Sequence, residues 1–233
     1  PYVTKLEKFL LAGLSSYDDA GLYHVAQLAW IAGLMLPQAM RAALLPYLGE
    51  VREKPVLFSK RMLYAHHWTV AIIPFGIIFG HLVVSYSIPA FFDSDYSEAV
   101  AVFDILLAGW VITMLAVPWY VALQAGENPW RFTGLIALIV LFAGISGWLL
   151  IPFAGVMGAA WASVIGCSVM LSGAKLLCGD EDRLTDGIAL LSIATCYFIS
   201  IGSMLAVIGI FTLIPAKSSI DYLRSQIGIS EEE

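Results

Sequence analysis

The chain has 233 residues, 60% apolar and 13% charged, with a formal net charge of −6 and a mean hydropathy of +0.84. About a quarter of the residues in an ordinary soluble domain are charged. This chain has too few polar groups to cover a water-facing surface, which excludes the soluble globular class. No basic stripe with interleaved aromatics is present, so no nucleic-acid partner is expected.

The charges fall into short clusters between apolar runs of roughly 20 residues, the length that crosses a bilayer as a helix. The chain opens at Pro1, and "VTKLEKFLLAGL" reads as the end of a span whose start is missing. Residues 1–14 are therefore expected to be the remainder of a truncated span from a longer protein. A six-helix transmembrane lobe is expected over 15–213, with spans near 21–47, 60–84, 98–123, 131–151, 154–178 and 187–213, and a polar tail over 214–233. No ten-residue alternation points to a barrel, so the expected fold is an all-α, polytopic membrane protein.

Basic residues alternate between the loops. "GEVREKPVLFSKR" carries Arg52, Lys54, Lys60 and Arg61, "QAGENPWR" carries Arg131, and "KLLCGDEDR" carries Lys175 and Arg183. The intervening loops "SSYDDA" and "SYSIPAFFDSDYSE", and the corner at Pro152, carry no Lys or Arg. The positive-inside rule puts the first set in the cytoplasm. "IPAFFDSDY" is expected to lie along the outer interface. The cysteines Cys167, Cys178 and Cys196 lack CxxC spacing and read as small buried hydrophobes.

Ionisable and amide side chains inside a span are costly and mark functional candidates. In the first full span His24, Gln27, Gln38 and Arg41 fall within about 100° of one another on a helical wheel, with Pro37 offering a kink. His66 and His67 open the second span and read as interfacial or packing histidines. His81 and Asp104 fall near the outer ends of consecutive spans. They can pair, or serve in proton or ion coupling. Gln124, Glu127 and Asn128 are expected to cap and turn the loop before Pro129. One alternative is a haem-bearing redox protein, since His67 and His81 lie about 21 Å apart on one helix. It lacks matching histidines on a second helix, only His24 being left, and Pro74 bends the carrier.

"LLIPFAGVMGAAWASVIG" (149–166) breaks an apolar run with one proline and three glycines. Pro152 disfavours helix at the residue before it and lacks an amide hydrogen, so a tight outer corner is expected there. Beyond it Gly158, Ala162 and Gly166 form one small-residue row, and Gly155, Ala159 and Ser163 form another. Such rows let helix backbones approach closely in lipid.

Four stretches also resemble a known family. "LLIPFAGVMGAAWAS", "DDAGLYHVAQ" (18–27), "LPQAMRAALLPYL" (36–48) and "ALQAGENPW" (122–130) are similar, in order and spacing, to the signature stretches of polysaccharide-export flippases. That family sits within the multidrug/oligosaccharidyl-lipid/polysaccharide superfamily. The resemblance covers about 160 residues and implies the second lobe of a two-lobed transporter. It implies a lipid-linked oligosaccharide, a polyprenyl-pyrophosphate glycan, carried from inner to outer leaflet of the cell membrane by alternating access. It implies no covalent chemistry, metal or cofactor, and as partners membrane lipids and a missing N-terminal lobe or a second copy. Arg41, where the family pattern has a small residue, suits a pyrophosphate because its guanidinium fork matches phosphate oxygens. Alternatively it snorkels to the headgroups. A drug/cation antiporter of the same superfamily, which would need membrane carboxylates, and a non-transporting scaffold are the competing expectations.

Overall fold

The computed structural model describes residues 2–92, 96–126, 128–178, 217 and 219–224. Its long elements are helices: α1 (Tyr2–Leu14), α2 (Tyr17–Gly33), α3 (Met35–Gly49), α4 (Pro55–Phe91), α5 (Glu98–Ala125) and α6 (Pro129–Cys178). Among the described residues there is no strand. Four helical segments are long and apolar enough to cross a membrane. These are 17–49 (α2 with α3), 55–91, 98–125 and 129–178, whose most apolar stretches have mean hydropathies of 1.4, 1.9, 2.3 and 2.5. The sixth span expected at 187–213 lies outside the described residues, as do Cys196, Arg183, Glu127 and most of the tail.

Local chemistry sets the helix starts. Ser16 caps α2, accepting from the Asp19 amide at 3.0 Å, and Asp18 and Asp19 sit in the first turn, where the helix dipole favours anions. Pro55 and Pro129 occupy the first positions of α4 and α6, where a missing amide hydrogen costs nothing. α4 runs for 37 residues, longer than the span predicted at 60–84. It takes in the end of the predicted basic loop and continues through Ile88–Phe91, which were expected to lie along the interface.

The first predicted span is interrupted at Leu34. Pro37 has no amide to give the Gly33 carbonyl, four residues back. The Trp110 indole of α5 supplies the missing donor, bonding the Gly33 oxygen at 2.9 Å. The ring reaches this carbonyl past α4, because a methyl built on Gly76 would lie 2.1 Å from it. Trp110→Phe keeps the ring and removes the donor. It should lower stability by about 1 kcal/mol, read as a fall in thermal midpoint in one detergent.

α5 is buried on nearly every side, from Ala99 to Leu123, and packs against α2, α3, α4 and α6. A helix apolar all round belongs in such a centre.

α6 doubles back on itself. Its backbone leaves helical geometry at Gly155, with φ +51° and ψ −127°, a conformation that costs little only for glycine. The two arms then run antiparallel in close contact. A methyl built on Gly166 would meet Ala143 Cβ at 3.2 Å, and one on Gly147 would meet Ala162 Cβ at 3.8 Å. Gly158, Ala159, Ala162 and Gly166 are all buried, as their row in the sequence implies. Two details differ from expectation. Pro152 stays within helix and the reversal falls three residues later, since proline restrains the residue before it but does not supply a positive φ. Gly155 is therefore the turn itself, not part of the packed row. Lys175 is also not a loop cation: it is buried in α6, its ammonium 5.9 Å from the centre of the Trp119 ring.

Candidate functional site

α2, α3, α5 and both arms of α6 line a partly open cavity of about 240 Å³. Trp30, Leu34, Pro37, Gln38 and Arg41 form one wall, Thr113, Val117 and Tyr120 the second, and Ile139, Ser163, Gly166, Cys167 and Met170 the rest. The break at Leu34 and the glycine contact at Gly166 leave room for it. Pockets that hold whole small molecules run from roughly 300 Å³ upward, so this one suits a small polar group.

Arg41 is half-buried and lines this cavity. Its Nε donates to Gln124 Oε1 at 2.9 Å, and its guanidinium carbon lies 5.2 Å from the Tyr120 ring centre. Gln124, expected to cap the following loop, instead orients the arginine. Asn128 does the capping, its Oδ1 accepting from the Trp130 amide at 3.2 Å.

The four residues expected on one polar face divide. Gln38 and Arg41 share the cavity. His24 turns to α1, its Nδ1 2.6 Å from Lys8 Nζ, and Gln27 is wholly buried. The face meets different neighbours along its length, α1 at the His24 end and the cavity at the Arg41 end.

His81 and Asp104 do meet: Nδ1 and Oδ1 are 2.8 Å apart, with the carboxylate almost fully buried and Ser85 Oγ 3.4 Å from the other ring nitrogen. His66 is buried edge-on to Trp119, and His67 lies 3.1 Å from Ser219 Oγ.

A second buried carboxylate was not anticipated. Glu7 of α1 has no exposed surface. Tyr23 donates to its Oε2 at 2.6 Å and Ser163 to its Oε1 at 2.6 Å, joining α1, α2 and the second arm of α6. Ser163 also lines the Arg41 cavity, so an acid stands behind one wall and a base in another.

Set against protein-family models, curated proteins and solved structures, the chain matches none. The functional reading therefore rests on the cavity and the side chains around it.

Proposed function

We propose that the chain is a six-span lobe of a transporter carrying a lipid-linked oligosaccharide from the inner to the outer leaflet of the cell membrane by alternating access. The observation that carries this reading is Arg41, a guanidinium held by Gln124 and Tyr120 inside a cavity between apolar helices. A cation set among apolar helices is costly and marks a functional candidate. Phosphates of a carrier lipid are ligands it can grip with paired hydrogen bonds. Gln38, in the same cavity, adds an amide for a neutral hydroxyl or a phosphate oxygen. At this size the cavity takes the phosphates and not a whole glycan, so a facing lobe or a second copy supplies the remaining wall. The process involves no covalent step.

Arg41→Ala in the complete protein should reduce surface glycan by at least about tenfold, the loss of one charge-assisted phosphate contact, with membrane protein level unchanged. Unaltered surface glycan would remove Arg41 from the mechanism.

The second reading, a drug/cation antiporter, gains from Glu7. Antiport needs a membrane carboxylate, and Glu7 joins the Asp104–His81 pair as a second buried acid. Efflux of cationic dyes from vesicles, with no change in glycan export, would favour it.

A further inference from the structure

The two ends of the helix bundle carry different charge. At one, α1 passes into α2, and Asp18 and Asp19 stand in the turn beside Gly155 with no Lys or Arg. At the other, α3 passes into α4, α5 passes into α6, and the second arm of α6 arrives at Cys178. A hollow of about 560 Å³ lies among these ends. Arg52 enters it from the α3–α4 turn and Arg131 from the first turn of α6, with Ser59 and Asn128 as neutral hydrogen-bonding neighbours. Phe58 and Met62 of α4 give it an apolar wall.

Its charge balance is positive. Helix ends about cancel, since α4 and α6 begin here while α5 and α6 end here. Among the described residues no carboxylate lines the hollow. Glu50, two residues before Arg52, is paired with Arg61 at 3.1 Å. Arg131 takes part in neither of the ion pairs found among the described residues. Both guanidiniums also stand on fixed backbone. Buried Val51 anchors the α3–α4 turn, whose amides at Val51, Arg52 and Lys54 bond carbonyls of Leu48, Gly49 and Val51 at 2.8–3.3 Å. The start of α6 is held by Asn128, which accepts from the Trp130 and Arg131 amides.

Two preorganised guanidiniums suit a phosphodiester, one for each unesterified oxygen. The size and the apolar wall decide what carries it. Hollows of several hundred Å³ take a whole small molecule, so a lone phosphate would leave most of this one empty. Phe58 and Met62 suit an amphiphile. The hollow also lies where the apolar helices end, at the depth of lipid headgroups, and basic pockets between helix ends bind anionic heads there.

We propose that this hollow is a binding site for an anionic membrane phospholipid, its phosphodiester between Arg52 and Arg131 and its glycerol backbone against Phe58 and Met62. The site is separate from the Arg41 cavity and stands whether or not Arg41 grips a phosphate. A zwitterionic lipid fits less well, because its choline adds a cation beside two others.

Native mass spectrometry of the full chain in detergent tests this, with dioleoylphosphatidylglycerol as the probe. One molecule should bind at least about tenfold more tightly than dioleoylphosphatidylcholine. Arg131→Gln should weaken it about tenfold at an unchanged thermal midpoint. Lys60→Gln removes one charge from the same end but outside the hollow, and should change binding less than about twofold. Glycerophosphoglycerol, the same head without chains, should not displace the lipid at equal concentration. Equal binding of the two phospholipids would overturn the proposal, as would equal losses in Arg131→Gln and Lys60→Gln, the mark of diffuse surface attraction. Displacement by glycerophosphoglycerol would overturn the lipid and make the occupant a soluble phosphodiester.

Discussion

Gly158→Ala should open the α6 hairpin. The added methyl would lie 2.4 Å from the Leu150 carbonyl oxygen and 2.6 Å from its carbon. Both are backbone atoms of the opposite arm, so no rotamer change relieves the overlap. The arms must separate at the point where Ile151 and Val156 begin the buried contact, and the loss should be about 3 kcal/mol, at the top of the range for overpacking. The comparison that makes this specific is Gly134→Ala. Gly134 lies on the first arm with nothing within 4 Å of a built methyl. Alanine there should gain up to about 1 kcal/mol from helix propensity. Gly155→Ala separates a second mechanism, since it has room but holds a positive φ, and strain alone should cost about 1–3 kcal/mol. Thermal unfolding of the three variants in one detergent should rank Gly134→Ala above Gly155→Ala and Gly158→Ala below both. Equal midpoints for Gly134→Ala and Gly158→Ala would show that the arms do not touch as described.

The hairpin and the break at Pro37 were legible in the sequence because both are local. A small residue every fourth position and a proline inside an apolar run act on the backbone that carries them. The His81–Asp104 pair was legible because both are ionisable residues at matching depths on consecutive spans. What escaped was long-range. Glu7 sits beside Lys8 in a short stretch with three charges; its partners Tyr23 and Ser163 are 16 and 156 positions away. Gln124 has the company of a capping residue, and only the return of α3 against α5 gives it to Arg41. Trp110 shows no sign of being a donor until Pro37 and Gly33 are brought beside it. The wheel grouped His24 with Arg41 but could not show that α1 meets the first and α5 the second.

Glu7 offers the sharpest division between a charge that holds helices together and one that serves transport. With Glu7 ionised, the hydroxyls of Tyr23 and Ser163 each donate to one carboxylate oxygen, while lying 3.1 Å from each other. Glutamine can replace this with a closed ring: Ser163 donates to the amide oxygen, the amide nitrogen donates to Tyr23, and Tyr23 donates to Ser163. The two hydroxyls and the amide carbonyl keep partners while one amide hydrogen is left over, so Glu7→Gln should cost about 1–2 kcal/mol. Glu7→Ala removes the acceptor altogether. It leaves a void where α1 meets α2 and α6, and one buried hydroxyl hydrogen with nowhere to go, so it should cost about 3 kcal/mol. Detergent-solubilised thermal unfolding, followed by tryptophan fluorescence, reads both values. The functional consequence then follows from the glutamine variant alone, because it is folded. If Glu7→Gln abolishes ion-driven transport in vesicles while melting above Glu7→Ala, the carboxylate belongs to coupling and the antiporter reading strengthens. If it transports normally, Glu7 is a structural acid and coupling falls to Asp104 and His81. Should Glu7→Gln melt as low as Glu7→Ala, the negative charge itself would be what holds α1 in place.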